Sequence, residues 1–413
     1  MKLTNARIQQ FNTHNTVLVI SKYPYKDVAH SYHGVAHYTQ RTLREVVKQT
    51  NKRFVVLVER EYGRTGELDA DGQILVIPFL WLLNLLGKTV HYTAHHVGTD
   101  FSFLASHLGK KHSKRFFTTI SKILPLYYFF LSTAITTLVV LDESVRQRLL
   151  PFVPKHKLFL SPLWITEPAA KVSSRKMTVL RKKLGIQKTD KTLICFGFMT
   201  KYKGVDWLVD AVHHLNSIQR TRVHLLLAGG RAPSQAGKAH YEQFYRKLEE
   251  HAHAHPYIHL TGFLPEDELT THFAVADLAV LPYRGILGAS ASWAEAMKYG
   301  KPFCISKDIS AYLKSPDILQ AQTALDIAQK EIVFQRNRKQ FTKYIMAVIQ
   351  EPVLKKLTQL SQAVAKLRAP EQLLAQELPK LYAPAYQNST ASVRKAMLQP
   401  TQQWLSKLLT FSN

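Results

Sequence analysis

The chain has 413 residues, a length that favours two or three domains. Hydrophobic residues make up 46% of it and aromatic residues 10%, which is enough for packed cores and excludes wholesale disorder. Lysine and arginine outnumber the acids 55 to 29, and the formal net charge of +26 predicts an anionic partner such as nucleic acid, an acidic lipid surface or a phosphorylated substrate. Only two cysteines are present, which excludes a disulfide framework, and an N-terminus without an apolar signal core favours a cytosolic protein.

The first half of the chain alternates short apolar runs with amphipathic segments. This alternation indicates βαβ units around a mostly parallel sheet. A helix is predicted around Tyr38–Gln49. Strands are predicted in the segments NTVLVISKYP, RFVVLVE, GQILVIPF, KTVHYTAHH, TTLVVLDES and KHKLFLSP.

An uncharged segment, Ile123–Leu141, approaches the length of about 20 apolar residues that spans a bilayer. It contains Pro125 and several hydroxyl residues, and its end resembles a buried strand. We interpret it as a helix that ends near Ala134 and is followed by a strand, with a transmembrane span as the alternative.

The second half repeats the pattern after PLWITEPAAKVSSRK, an aperiodic segment that we interpret as an interdomain linker. The expected architecture is α/β, with two doubly wound domains at residues 1–165 and 166–352 and a ligand in the cleft at the C-terminal edges of the strands. A basic helical tail at 353–413, broken at Pro370, is expected to pack back on the first domain. Strands are predicted in LICFGFM, VHLLLAGG, IHLTGFL, DLAVLPY and KPFCIS, and helices in GVDWLVDAVHHLN, YEQFYRKLEEHAHAH, EDELTTHFAVA and ASWAEAMKYG.

The segment FGFMTKYKGVDWLVDA is the first candidate phosphate site. It runs from a strand through Gly197 and a loop to Lys203-Gly204, where a helix begins. A helix N-terminus offers unpaired N–H groups and a positive dipole end, and a lysine adds a point charge. A solvated loop lysine and a simple turn glycine are the alternative interpretation. The spacing differs from that of a Walker A loop.

The segment LPYRGILGASASWAEAMKYGKPFCIS is the second candidate site. It again leads from a strand through small residues to a helix start, where a ligand can approach the backbone closely. Glu295 is the only carboxylate of that helix, and a surface glutamate is the alternative interpretation. Two phosphate-binding helix starts in one domain suggest a diphosphate, as in a nucleotide-sugar.

These motifs jointly resemble those of the family 4 glycosyltransferases, which have the GT-B fold of two Rossmann-like domains facing across a cleft. The first domain is similar more loosely, in the loop around Gly34 and in Thr93-Ala94-His95. The motifs that carry the resemblance are Phe196-Gly197, Lys203-Gly204-Val205-Asp206, Ala228-Gly229-Gly230, Gly262-Phe263-Leu264, Ala276-Asp277 and Glu295 through Gly300-Lys301-Pro302.

The resemblance implies a retaining transfer of a sugar from a nucleoside-diphosphate donor to a saccharide or lipid-linked acceptor, in polysaccharide or glycolipid synthesis, without an essential metal or other cofactor. It implies that Lys203 holds the diphosphate, Glu295 binds the ribose and His95 contacts the sugar; these three are the candidate catalytic residues. Prepositioned donors of this kind stabilise the charge that develops on the departing diphosphate. The other implied donor-binding residues are Gly34, Gly197, Gly262, Leu264, Ser290 and Ala291.

Two positions depart from the family pattern. Phe198 stands where an arginine is common, and Leu287 where a glutamate is common. The first loss transfers phosphate binding to Lys203, with Lys201 or Arg284 as candidate helpers. A catalytically silent protein of the same fold, partnering an active glycosyltransferase, is therefore the alternative function.

Three further features are open to two interpretations. His251, His253 and His255 suggest either metal ligands or a solvated helix end, and the sequence shows no fourth ligand. His95 is either a sugar contact or a packed core histidine. The basic run Lys110–Arg115 precedes an apolar helix. This pattern is typical of peripheral binding to an anionic membrane, here the inner face of the cytoplasmic membrane. It is equally typical of a surface loop that precedes a core helix. No nucleic-acid-binding fold is recognisable, so no nucleic-acid partner is expected.

Overall fold

The computed structural model describes residues 16–21, 42–43, 53–58, 70–85, 89–94, 97, 114–166 and 172–376. The strands are β1 (Thr16–Ser21), β2 (Arg53–Val58), β3 (His91–Ala94), β4 (Thr137–Val140), β5 (Leu158–Leu160), β6 (Lys191–Phe196), β7 (Val223–Ala228), β8 (Ile258–Gly262), β9 (Leu278–Leu281), β10 (Phe303–Ser306) and β11 (Val333–Phe334). The α-helices are α1 (Ala70–Leu85), α2 (Lys114–Ala134), α3 (Glu143–Leu149), α4 (Ser174–Lys183), α5 (Val205–Ile218), α6 (Ala239–Ala254), α7 (Glu266–Val275), α8 (Ala291–Lys298), α9 (Pro316–Ala324), α10 (Gln329–Ile332), α11 (Arg338–Val348), α12 (Glu351–Leu367) and α13 (Pro370–Gln376).

The chain divides into two compact units. The first consists of Met1–Thr93, Phe129–Val139 and Pro370–Asn413, and the second of Ala94–Tyr128 and Val140–Ala369. The expected domain limits at residues 165 and 352 remain a prediction.

A six-stranded sheet forms the centre of the second unit, with the strand order β11-β10-β9-β6-β7-β8. All five neighbouring pairs are parallel. The order reverses between β6 and β9, because the chain builds outward from β6 through β7 and β8 and then returns to β9. Such a reversal opens a crevice at the carboxyl ends of the two central strands, where ligands bind in doubly wound folds.

The core of this unit lies between the sheet and the helices on its faces. Every residue of β7 and β9 is buried, which explains why β9 is a continuous apolar run and why β7 is apolar except for His224. Helix α5 buries one apolar face, and its Trp207 stacks on Phe334 of β11 at 5.9 Å between ring centroids. Trp207 also meets Phe341 of α11 edge-on, so the helix is fixed against the far edge of the sheet. The predicted strands β6 to β10 and helices α5 to α8 are confirmed.

The strands described in the first half lie where the sequence predicts them, with one exception. Strands β1 and β2 pair in parallel, and β3, β4 and β5 form a three-stranded sheet in that order. The exception is GQILVIPF, which is part of helix α1 rather than a strand. The apolar run continues through WLLNL, and the whole helix has 16 residues, which exceeds the usual length of a strand. A short apolar window by itself does not distinguish a helix from a strand.

Helix α2 ends at Ala134 and β4 begins at Thr137, as predicted. Among the described residues, no helix has both the length and the hydropathy needed to span a membrane. The tail is helical as far as it is described, and Pro370 begins a new helix there. Of the predicted helix Tyr38–Gln49, only residues 42–43 are described, and both are helical.

Candidate functional site

Both candidate phosphate sites follow the strands at which the sheet order reverses. Gly197 comes directly after β6, and the loop 282–290 comes directly after β9. The strands β6 and β9 are neighbours, with Leu193 paired to Leu278 and Ile194 to Ala279. The sheet therefore brings together two motifs that are about ninety residues apart in the sequence.

The connection from β6 to α5 depends on two glycines. Gly197 has φ = +106° and Gly204 has φ = +72°, a region that side chains with a Cβ rarely adopt. A short 3-10 turn, Lys201–Lys203, lies between them, and Gly204 is the N-cap of α5. A Cβ on Gly204 would lie 2.1 Å from the carbonyl oxygen of Pro282, which excludes a larger residue at this close crossing of the two loops.

The ammonium group of Lys203 points to the second motif. Its Nζ donates a hydrogen bond of 3.1 Å to Oγ of Ser292, in the first turn of α8, and both side chains are only 8% exposed. A Cβ on Gly197 would lie 2.3 Å from that Nζ and 2.7 Å from that Oγ. The alternative of a solvated loop lysine is therefore wrong, because the lysine and the serine converge over a glycine that leaves room for them.

Helix α8 begins at this same point. Ser290 is its N-cap, and the serine Oγ accepts a 3.2 Å hydrogen bond from the Trp293 N–H. Ala291 and Ser292 are the first two helical residues, so their N–H groups have no acceptor within the helix. Tyr283 lies buried beneath them with its hydroxyl 3.3 Å from Ser290 Oγ, and burial raises the pKa of Tyr283 to about 12. The hydroxyl therefore stays protonated, and the helix end carries positive potential from its dipole.

Glu295 lies one turn further along α8, and its side chain is 20% exposed. Its Oε2 is 3.4 Å from Nζ of Lys298, and within the described part of the chain this oxygen accepts no hydrogen bond. Lys298 donates instead to Glu266 at 2.8 Å. Burial opposes the charge on Lys298, but Glu295 and Glu266 outweigh it and raise the pKa of Lys298. Glu295 is therefore paired with Lys298, and its Oε2 is buried without a hydrogen bond among the described residues.

Gly262 and Leu264 lie at the end of β8, on the other side of β7 from Gly197. Gly262 has φ = +70° and forms a bridge with Gly229, which follows β7. A Cβ on Gly229 would lie 2.1 Å from the carbonyl oxygen of Gly197, so the ends of β6, β7 and β8 are closely spaced. Leu264 is half-buried against the core.

The positions that depart from the family pattern contribute no cation. Phe198 is half-buried and packs against the core. Arg284, a candidate replacement, is held by Asp206 through two 2.9 Å hydrogen bonds and also donates to the carbonyl of Lys201. Arg284 therefore stabilises the crossing of the two loops, and this pairing argues against its predicted role as a phosphate helper.

The remaining candidates are placed as follows. Gly34 and His95 lie outside the described residues, so their roles remain predictions. His255 stacks on His213 with 4.1 Å between ring centroids, just after helix α6 ends. In the part of the chain that the structure describes, no three His, Cys, Asp or Glu side chains are grouped so that they could hold a metal ion.

Sequence reasoning missed the role of Ser292 in holding Lys203. The serine stands in a run of small residues, Gly288 to Ser292, and nothing in that run distinguishes it from Ser290. The available signal was its place in the first turn of a helix that follows a strand.

Comparison with known proteins defines the class. Residues 190–351 match the model of the family described as glycosyl transferases group 1, and this range contains all of the site except the predicted Gly34 and His95. No curated protein sequence matches the chain. The matched domain identifies the chain as an enzyme of the glycosyltransferase class.

Solved structures show the fold. Sucrose-phosphate synthase from Thermosynechococcus elongatus superposes with a TM-score of 0.64 at 16% identity, over 90% of this chain and 99% of that one. WaaG, a glycosyltransferase involved in lipopolysaccharide biosynthesis, gives 0.57 at 15% identity, over 89% and 100%. HepE from Anabaena, in complex with UDP-glucose, gives 0.57 at 12% identity, over 90% and 100%. The predicted α/β fold of the GT-B class is confirmed.

Proposed function

We propose that the chain is a retaining, family 4 type glycosyltransferase that uses a nucleoside-diphosphate sugar. The observation that carries the proposal is the convergence of Lys203 and Ser292 over Gly197, at the point where the sheet order reverses. A buried ammonium beside a helix N-terminus is an arrangement that binds a diphosphate. Several solved relatives in fold carry UDP or a UDP-sugar, which makes UDP the first ligand to test.

In this proposal each part of the site has one task. Lys203 and the N–H groups of Ala291 and Ser292 stabilise the negative charge on the leaving diphosphate. Glu295 accepts hydrogen bonds from the ribose hydroxyls. The backbone of Gly262 and Leu264 borders the base, and the predicted tasks of Gly34 and His95 are the diphosphate and the sugar. No metal or other cofactor is assigned, because the ammonium and the helix dipole supply the positive charge.

The proposal is tested first by binding and then by turnover. Thermal shift with UDP, GDP and ADP should raise the melting temperature for at least one of them, because ligand that binds the native state stabilises it. Release of that nucleoside diphosphate from its sugar conjugates should follow, and should persist in EDTA. If turnover required a divalent cation, the proposal that no metal is needed would be refuted. If none of the three nucleotides bound, the proposed donor site would be refuted.

A catalytically silent binding protein is the second candidate. It is favoured by Phe198, which is packed against the core, and by Arg284, which is committed to Asp206, since both leave the diphosphate with fewer cations. This function predicts nucleotide binding without any release from the sugar conjugate. The turnover assay therefore distinguishes the two functions.

We propose that the acceptor is lipid-linked and that the protein docks on the anionic inner face of the cytoplasmic membrane. Helix α2 exposes Ile123, Leu126 and Phe130, which are spaced so that they share one helix face. No acidic residue occurs between Asp100 and Asp142, so charge repulsion from an anionic surface is minimal along this helix. Of the basic run Lys110–Arg115, residues 110–113 lie outside the described residues, and α2 begins at Lys114.

Vesicle sedimentation tests this docking. The wild type should pellet with anionic but not neutral vesicles and should be released by salt, which screens exposed charges over roughly 8–10 Å. Replacing Ile123, Leu126 and Phe130 together by serine should weaken pelleting. The matched control replaces three other exposed apolar residues, Val179, Ile218 and Leu319, by serine. Equal binding by both triple variants would contradict docking through α2.

A further inference from the structure

The loop between β9 and α8 is held by three successive carbonyl groups. The carbonyl oxygen of Ile286 accepts from Nη1 of Arg148 at 3.3 Å, and that of Leu287 accepts from the Val97 N–H at 2.8 Å. The carbonyl oxygen of Gly288 accepts from the hydroxyl of Tyr312. All three bonds lie within the second compact unit.

The three donors come from different parts of the chain. Arg148 lies in α3 and Tyr312 in the 3-10 segment Lys307–Lys314, which are 138 and 24 residues away from their acceptors. Val97 follows β3. Three bonds from three separate elements fix the path of a loop that contains two glycines and so has little conformational preference of its own.

The direction of a carbonyl also determines the direction of the next N–H group. In a planar trans peptide the C=O and the following N–H point in opposite directions. The N–H groups of Leu287, Gly288 and Ala289 therefore point away from the groups that hold the preceding carbonyls. These three N–H groups come directly before the N-terminus of α8, where backbone N–H groups favour an anion.

Two of the anchors are themselves held in place. Tyr312 is 2% exposed, and burial, followed by the nearby Asp142 carboxylate, raises the pKa of Tyr312 far above its ordinary value, so its hydroxyl remains a donor. Arg148 is fixed from its other side, because its Nε donates to the carbonyl of Ser144 at 3.2 Å. Neither side chain lies on the loop or on α8, and neither was predicted from the sequence.

We propose that Tyr312 and Arg148 are positioning residues for the donor diphosphate: by holding the carbonyls of Gly288 and Ile286, they aim the backbone N–H groups of the loop at the phosphates. This inference rests on the proposed function, because it assigns the diphosphate to that same site. It names residues that act through the loop backbone and that do not contact the donor themselves.

The test compares variants that remove one donor each. Tyr312→Phe removes only the hydroxyl, and Tyr344→Phe is its matched control, since the Tyr344 hydroxyl donates to the Glu331 carbonyl at 2.8 Å on the far edge of the sheet. Arg148→Met removes the guanidinium, and Arg148→Lys restores a donor on a chain of similar length. Calorimetry should give dissociation constants for UDP and UMP, or for the guanosine or adenosine pair if wild type prefers it, and melting temperatures are measured in parallel.

The expected result is a selective loss. Tyr312→Phe and Arg148→Met should raise the dissociation constant for the diphosphate about tenfold, the scale of a misplaced positioning group, and that for the monophosphate by less than about twofold. Arg148→Lys should recover part of the loss, and Tyr344→Phe should bind like wild type. A merely structural role would lower the melting temperature of Tyr312→Phe and weaken both nucleotides equally, which overturns the inference.

Two outcomes separate this inference from the proposed function. If the wild type binds a nucleoside diphosphate and Tyr312→Phe and Arg148→Met bind it equally well, the inference alone is overturned. Wild type that binds none of UDP, GDP and ADP overturns the proposed function and the inference with it.

Discussion

Replacing Lys203 by methionine tests the donor site with the smallest change of shape. The substitution keeps the length of the side chain and removes the ammonium, which has three N–H donors. Ser292 accepts one of them, and among the described residues no second acceptor for this ammonium is present. Two donors of Lys203, a residue that is 8% exposed, therefore remain available for phosphate oxygens.

The expected loss follows from these bonds. A hydrogen bond to a charged group contributes about 1.5–3 kcal/mol, so Lys203→Met should raise the dissociation constant for the nucleoside diphosphate by roughly 10- to 150-fold. Isothermal titration calorimetry measures it directly. Circular dichroism and the melting temperature establish that the variant is folded.

Lys301→Met is the matched control for this variant. Lys301 is also a largely buried lysine, and its Nζ donates to the carbonyls of Ala274 and Ala276 at 3.1 and 2.8 Å. It precedes β10 and so lies at the amino-terminal ends of the parallel strands, opposite the ends at which Lys203 lies. Lys301→Met should therefore lose stability and keep its nucleotide affinity. Equal affinity in wild type and Lys203→Met, with the fold intact, would refute the reasoning.

Three further predictions concern the glycine crossing, the ribose contact and a buried carboxylate. Gly204→Ala should destabilise the protein more than Gly237→Ala in urea unfolding, because both glycines have positive φ but only a Cβ on Gly204 meets a backbone atom. The left-handed backbone alone should cost each variant about 1–2 kcal/mol of stability. Equal losses in the two variants would count against the close crossing at Gly204. Glu295→Gln should reduce turnover of the nucleotide-sugar and leave the melting temperature nearly unchanged, and unchanged turnover would remove the ribose role. Burial raises the pKa of Asp142 from 3.8 to about 6, so its contribution to stability is present below pH 4 and is lost as the pH rises through 6. The free energy of unfolding of wild type relative to Asp142→Asn should accordingly fall by about 2 kcal/mol between pH 4 and pH 7, and a difference that is independent of pH would contradict this.

Much of the second unit could be predicted because its sequence pattern matches its environment. Buried parallel strands such as β9 are continuous apolar runs, and helices such as α5 show an apolar face at helical spacing. The glycines at 197 and 204 were informative because positive φ and a close crossing admit no other residue. The two phosphate motifs were therefore visible before their neighbourhood was known.

The parts that could not be predicted depend on contacts distant in the sequence. Helix α1 was predicted as a strand because an eight-residue apolar window does not distinguish the two, and its Trp81 finds its partner Thr133 52 residues away. The pairing of Arg284 with Asp206 spans 78 residues, and the anchoring of Ile286 by Arg148 spans 138. No local sequence pattern indicates which arginine will lie beside a carboxylate or a carbonyl group in the folded chain.

The measurement that tests the central claim most directly is a crystal structure of the chain with UDP. The diphosphate should lie at the ends of β6 and β9, with phosphate oxygens within hydrogen-bond distance of Lys203 Nζ and of the N–H groups of Ala291 and Ser292. An alternative location in the same unit, within the described residues, is a groove of about 650 Å³ bordered by Arg181 and Lys355, near the amino-terminal ends of β9 and β10. Phosphates bound in that groove, or anywhere away from Lys203, would contradict the account.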